Sequence, residues 1–409
     1  MDAVTSDLVP IRCLTWSLDE PAERLRPNAD GRLFVLALDE GWPRAVVDVR
    51  ADSAERAAAV VRAAVAASDV TPPDGWTPGQ QAGPAVSVVV CTLGRDPRLT
   101  ETVAALLAQA HPLELIVVDN DPASGSTAAL LDGVADPRLR IVAEPRRGLS
   151  IARNTGVRAA AHDLVAFTDD DALPAPGWVA ELAAVFGRDP SVACVTGLVL
   201  PAEVVTRSQL FFEEAGGFDK GLRARHWNLA GDGTAVGSTP GPRGVAFPFD
   251  GGFGSGNNMA FRRAWLDRLG GFDVALGAGS IARGGEDLDV FQATYLAGGT
   301  VVYWPAALVR HHHRADHAGL LEQMHGYGVG MAAVVTKRFL TSPAAAVRVI
   351  GRLPSGLRLL LDPGSAKNRG KTAAFPADVT RAERLGYLAG PWAYLRSRRH
   401  ARRRPVEAG

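Results

Sequence analysis

Between residues 85 and 170 the chain repeats one pattern, a short continuous apolar run followed by a helix-like stretch, and this pattern narrows the fold more than any other feature. Residues 86–91 (Val-Ser-Val-Val-Val-Cys), 115–118, 139–142 and 164–167 read as strands, with helices over 99–110, 124–131 and 150–161. Strands that are apolar along their whole length are buried on both faces, which implies a mainly parallel sheet with helices on each side. Right-handed crossovers then bring the strands' C-terminal ends to one edge, where open α/β sheets bind ligands. Cys91-Thr92, Asp119-Asn120-Asp121 and Asp169-Asp170-Asp171 all fall on that edge.

Three adjacent carboxylates repel one another and call for a cation or hydrogen-bond donors. In an extended segment Asp169 and Asp171 point one way while Asp170 turns aside. Two carboxylates facing one ligand suit a hard divalent ion carrying a diphosphate. A solvated acidic turn or a helix N-cap is the plainer alternative.

At 409 residues the chain is long enough for two or three structural units. Its 47% apolar and 22% charged residues describe a globular protein, not a disordered or spanning one. Lys plus Arg equals Asp plus Glu, 44 each, so the overall charge implies no partner, and no nucleic acid is expected. Three scattered cysteines, Cys13, Cys91 and Cys194, point to a reducing compartment without a disulfide framework or zinc site.

Residues 1–10 lack the basic start and apolar core of an export signal. Residues 343–361 are interrupted by Arg348, Arg352, Pro354 and Arg358 and are too polar to cross a bilayer. The expected location is the cytoplasm, with the inner face of the cell membrane open to peripheral contact.

Four parts are expected along the chain. Residues 1–70 form a small α+β unit with strand-like runs at 33–38 and 45–49 and a helix over 51–68; residues 71–84, with four Pro and three Gly, form a linker. Residues 85–315 carry the α/β pattern. Residues 316–409 are helical, with a breaker at Gly326-Tyr327-Gly328-Val329-Gly330 and an arginine-rich end over 396–404. Aromatics at 387–395 beside that basic end suit an anionic membrane interface. The long stretch 200–253, with Gly- and Pro-rich residues 231–248, reads as a lid or binding loop.

Further candidates cluster around the sheet edge. Asp119 closes a strand and can accept hydrogen bonds from a base or ribose, or make an Asx-turn with the residues after it. Residues 146–154 open a helix with Ser150 as its N-cap, placing Arg153 in the first turn, where it can reach a phosphate or lie idle on the surface. Glu286 and Asp287 follow a glycine pair at a helix start, as dipole partners or as a general base. His311-His312-His313 offers metal ligands, a phosphate contact or an exposed turn. Asn257 and Asn258, after the flexible 251–256 loop, can hydrogen-bond sugar hydroxyls or simply enter the next strand.

In order and spacing these pieces, over about residues 85 to 315, resemble the family 2 glycosyltransferases with the GT-A fold. The resemblance rests on the 86–92 strand, the Asp119 strand end, residues 148–154, the Asp169–Asp171 triplet, Gly254-Ser255-Gly256-Asn257-Asn258-Met259-Ala260-Phe261, the Glu286-Asp287 pair and the histidines. It implies a nucleotide-sugar donor over the strand ends, with Thr92 and Asp119 at the nucleoside and Arg153 near the diphosphate. Asp169 would meet the ribose or the metal, Asp171 and His311 would ligate Mg2+ or Mn2+ with His313 as a competitor, and Asp287 beside Glu286 would be the base. The implied reaction is inverting transfer to an acceptor hydroxyl on a glycan, a lipid-linked molecule or a small molecule. Inverting transfer needs a base for the acceptor proton and a cation for the departing diphosphate. A retaining hydrolase needs two close carboxyls and no phosphate apparatus. A sugar nucleotidyltransferase, which wants a Gly-rich basic loop after the first strand, and a non-catalytic nucleotide-sugar-binding protein are the alternatives; a phosphoesterase would leave Asp119 and Arg153 without a purpose.

Overall fold

The computed structural model describes residues 10–28, 31–77, 83–229, 238–240, 251–341, 343–365 and 367–403. Of the stretch 200–253 expected to be a lid or binding loop, residues 230–237 and 241–250 lie outside these residues, as do parts of the linker and the last residue of the basic end.

The chain begins with a three-stranded sheet: β1 (Arg12–Ser17), β2 (Arg32–Asp39) and β3 (Trp42–Arg50), packed by helix α1 (Ala54–Ala66). β1 runs parallel to β2, and β2 and β3 form a hairpin whose turn residues Glu40 and Gly41 both have positive φ. The sheet does not stand alone. The Trp42 ring meets Trp304 edge-on at 5.3 Å and Trp76 at 5.0 Å, and both Trp76 and Trp304 donate their indole N–H to the half-buried Glu181.

The larger sheet is built from β4 (Val86–Thr92), α2 (Leu99–Leu107), β5 (Leu113–Asp119), α3 (Ser126–Leu130), β6 (Leu139–Ala143), α4 (Leu149–Ala159), β7 (Leu164–Asp169), β8 (Ala172–Pro174), α5 (Trp178–Arg188) and β9 (Val192–Pro201). It continues through α6 (Arg207–Glu214), β10 (Arg225–Trp227), β11 (Thr239–Pro240), β12 (Met259–Arg262), α7 (Arg263–Leu269), α8 (Glu286–Leu296) and β13 (Thr300–His311). The strand order is β11-β10-β13-β9-β12-β7-β4-β5-β6, with β8 paired to β13. β7, β4, β5 and β6 are parallel, as expected, while β12 runs antiparallel between β7 and β9. Burial on both faces makes two cores, one through Val88, Val90, Leu115 and Val117, the other through Val89, Ile116, Val118 and Phe167.

After β13 come three helices, α9 (His317–Thr341), α10 (Pro343–Leu361) and α11 (Ala377–Arg403). The glycines expected to break this region lie inside α9. A Cβ on Gly328 would stand 2.2 Å from the Glu383 carbonyl oxygen, and one on Gly386 would stand 2.3 Å from that of His325. These glycines let α9 and α11 touch backbone to backbone, and that close packing outweighs their poor helix propensity. Gly386→Ala is therefore expected to destabilise the protein by about 1–3 kcal/mol, read as a lower midpoint in denaturant with the helical signal at native conditions intact. No helix among the described residues is long and apolar enough to cross a membrane.

Candidate active site

The parallel register brings the expected strand ends together: Thr92 lies opposite Asp119, and Cys91 opposite Asp169. Asp169 ends β7, Asp170 and Asp171 form the turn, and β8 leaves antiparallel to β13 with Ala172 opposite His311. The His312 backbone N–H donates to the Asp171 carbonyl at 3.0 Å. Asp169, Asp171 and His311 converge in this way, with ligand atoms all within 4.8 Å of one another. Their approach comes from a turn and a cross-strand register, not from the extended alternation expected of the triplet. Asp170 does turn aside, accepting from the Thr92 hydroxyl at 2.5 Å.

Two carboxylate oxygens and an imidazole nitrogen are a donor set for magnesium or manganese. Ligand atoms about 2.1 Å from a shared ion stand up to about 4.2 Å apart, so a small closing of the triad accommodates such an ion. Burial of His311 favours its neutral form, yet the Asp171 carboxylate 3.2 Å away raises its pKa overall. Burial likewise opposes ionisation of Asp171, but His311 brings that carboxyl down to about 2. Burial raises Asp169, against the pull of Arg153.

His313 stands behind His311, their Nδ1 atoms 3.2 Å apart, and its Nε2 meets the Glu213 carboxylate at 2.8 Å. This order leaves the Nε2 edge of His311 facing Asp171 and keeps His313, 1% exposed, away from the triad. Glu213 is brought there by α6, whose start is held by a capping box between Thr206 and Gln209. No signal in the sequence marked Glu213, because its partner is 100 residues away.

The second group of residues differs from expectation at several points. α4 is capped by Gly148, and Ser150 instead donates its hydroxyl to the Leu276 carbonyl at 2.9 Å. Arg153 therefore lies two residues further into the helix than expected and is 3% exposed. Its guanidinium meets Glu286 at 2.8 Å, the Gly256 carbonyl at 3.1 Å and Asp169 at 3.4 Å. Arg153 thereby bridges the Glu286 and Asp169 carboxylates with its positive charge. Burial pushes the Glu286 carboxyl up to about 7 in spite of Arg153. Glu286 is buried and paired with Arg153.

Asp287 is half-buried at the start of α8, accepting from the Gly256 N–H at 2.9 Å and from Leu288 N–H at 2.7 Å. A Cβ on Gly256 would lie 3.0 Å from the Asp287 Cβ, so any other residue there would push Asp287 or the loop back by a few tenths of an ångström. The two asparagines separate. Asn258 donates to the Leu198 and Ala307 carbonyls and accepts from the Trp178 indole, so its amide ties strands together and is not open to a sugar. The Asn257 amide, buried beside this loop, has no partner for either end among the described residues. Such an orphan is costly unless a ligand or water meets it. Asp119 does make the Asx-turn, accepting from Asp121 N–H at 3.0 Å through one oxygen and leaving the other. Thr92 is engaged on both sides, by Asp170 and by Gly94 N–H.

Residues 87–236 match Glycosyl transferase family 2, and residues 164–363 match Glycosyl transferase family group 2. Over 133 residues the chain is 36% identical to the glucosyl-dolichyl phosphate glucuronosyltransferase of Haloferax volcanii, covering 32% of this chain and 42% of that one. Over 234 residues it is 30% identical to the succinoglycan biosynthesis protein ExoM of Rhizobium meliloti, covering 55% and 65%. It thus spans less than two thirds of the length of these relatives. Among solved structures, a mannosyltransferase from Pyrobaculum calidifontis, in complex with GDP-Man and Mn2+, aligns with 83% of this chain and 79% of its own at 21% identity, with a TM-score of only 0.42. With these two models matching over overlapping ranges, the chain belongs to the family 2 glycosyltransferases.

Proposed function

We propose that the protein is an inverting glycosyltransferase that moves a sugar from a nucleoside-diphosphate donor to an acceptor hydroxyl. The observation that carries this reading is the convergence of Asp169, Asp171 and His311 on the sheet edge that also holds Asp119, with Asp287 at the start of α8 tied to it through Gly256 and Arg153. Asp169, Asp171 and His311 would hold Mg2+ or Mn2+, which would supply charge to stabilise a departing diphosphate.

The chain's own residues account for the remaining demands. Asp287 takes the proton from the acceptor hydroxyl as its oxygen bonds to the anomeric carbon and the bond to the diphosphate breaks. Arg153 and Glu286 hold the Gly256 loop and Asp169 in place around that centre. The unpartnered Asn257 amide meets a donor hydroxyl, and the free oxygen of Asp119 meets the nucleoside. Thr92 contributes by fixing Asp170 and the following loop.

Peripheral contact with an anionic membrane surface through the basic C-terminal helix belongs to the same proposal, and a lipid-linked acceptor suits it. The name of the Haloferax relative, a transferase acting on a dolichyl-phosphate sugar, supports that choice over a free glycan or small molecule.

The test is release of nucleoside diphosphate from UDP-, dTDP- and GDP-sugars with Mn2+, against lipid-linked and soluble acceptors, with the product's anomeric configuration read by NMR. Transfer with inversion is expected; a retained configuration or simple hydrolysis would contradict the reading. A related prediction concerns the residues behind His311. Glu213→Gln should weaken Mn2+ binding about 10- to 100-fold, measured by electron paramagnetic resonance, because His313 then loses the carboxylate that orients it. Unchanged affinity would show that the histidine pair needs no anchor.

A further inference from the structure

The outward face of α11 has an unusual composition. Leu385, Leu388 and Trp392 are exposed there, the last two at 79% and 59%. With 100° per residue these three and Arg381, Arg384, Arg396, Arg399 and Arg403 fall within an arc of about 120°. The opposite face, with Val379, Gly386, Gly390 and Ala393, is buried, Gly386 and Gly390 against α9. From residue 381 to 403 the helix carries seven arginines and one acid, Glu383, which is buried and paired with Lys367. Arg381, Arg384, Leu385 and Leu388 also line a shallow cavity of about 350 Å3.

A second helix has the same character. α10 packs inward through Val349 and Gly356, yet Val347, Ile350, Leu353, Leu357 and Leu361 are all exposed on another side. They share an arc of about 120°. The helix contains three arginines and no acid, with Arg358 meeting Asp362 just past its end at 3.6 Å, so the cationic charge of the patch comes mainly from α11. A helix apolar on two faces is only half served by its own protein.

We propose that the outward faces of α11 and α10 lie in the headgroup layer of an anionic bilayer, with the leucines and Trp392 at the acyl boundary and the arginines on lipid phosphates. This rests on the peripheral-contact part of the proposed function and not on the transfer chemistry. The charge pattern decides between occupants. In a symmetric dimer the same patch meets itself, setting arginine against arginine, and an uncharged partner would leave the guanidinium groups unmatched. A surface dense in phosphates satisfies both the apolar and the cationic side chains. The helices would lie flat, since neither can cross.

The full-length chain would be sedimented with vesicles of phosphatidylcholine alone and with about 30% phosphatidylglycerol, at low and high salt. Binding is expected only to the anionic vesicles, weakening as salt rises. The double variant Leu388→Ser/Trp392→Ser should lower the vesicle affinity at least about tenfold, and Ile350→Ser/Leu357→Ser should lower it further, both with melting temperature unchanged because these side chains are already exposed. Equal binding to neutral and anionic vesicles would overturn the proposal. Undiminished binding of both variants would overturn the assigned surface while leaving peripheral contact standing. No binding to either vesicle would remove the contact itself, and a dimer in sedimentation velocity that these substitutions abolish would assign the faces to a second copy. None of these outcomes depends on whether sugar transfer is observed.

Discussion

Asp287→Asn is expected to lower transfer about 10²- to 10⁴-fold while donor affinity stays close to that of the unaltered protein. The substitution keeps the size of the side chain but removes the basic oxygen that receives the acceptor's proton. Its one structural cost is visible: both carboxylate oxygens accept a backbone N–H, from Gly256 and Leu288, and an amide can serve only one of them. Donor binding, measured by calorimetry, separates the two effects. Lost turnover with intact binding identifies the base, whereas joint loss would mean that the Gly256 loop has shifted. Full turnover in Asp287→Asn would remove the assignment. Glu286→Gln makes the contrast, because Glu286 is buried against Arg153. Its expected deficit is in stability, since a buried guanidinium loses its charged partner.

Asp171→Ala is expected to weaken metal binding by more than about 100-fold, since even outer partners of a metal site are worth 10- to 100-fold. Donor binding in this variant should no longer respond to Mn2+. A related expectation concerns pH. Because the Asp171 carboxylate raises the pKa of His311 against the effect of burial, the ring must lose a proton before it can ligate. The apparent Mn2+ affinity should therefore rise with pH through that titration and level off above it. In Asp171→Ala the titration should move to lower pH, because the charge that raised it is gone. An affinity indifferent to pH would place the metal on groups other than His311.

The parallel sheet and its active edge were legible in the chain because both depend on local pattern. Continuous runs such as 86–91 declare buried strands, and three adjacent aspartates at a strand end declare a need for compensation. What escaped was set by contacts distant in sequence. The sequence put Ser150 at the cap of the Arg153 helix, whereas Gly148 is the cap, and it held no sign that Glu286, 133 residues away, would pair with Arg153. Asn257 and Asn258 are neighbours of identical composition, yet one is engaged by Trp178, Leu198 and Ala307 and the other has no partner among the described residues. Only the β12 register between β7 and β9 distinguishes them. The glycines of α9 looked like a break because propensity is a local quantity, while their use lies in the approach of α11. Spacing did not separate His311 from His313, and their partners do: His311 meets Asp171 and His313 meets Glu213.

The most direct measurement is a thermal-shift series with UDP-, dTDP- and GDP-sugars, each with and without Mn2+, on the unaltered protein and on Asp171→Ala. A ligand that binds only the folded state raises its melting temperature. The account predicts that one nucleotide class stabilises the protein only when Mn2+ is present, and that Asp171→Ala abolishes the effect. Stabilisation that ignores the metal, or a response that survives Asp171→Ala, would contradict a metal-assisted donor site at Asp169, Asp171 and His311.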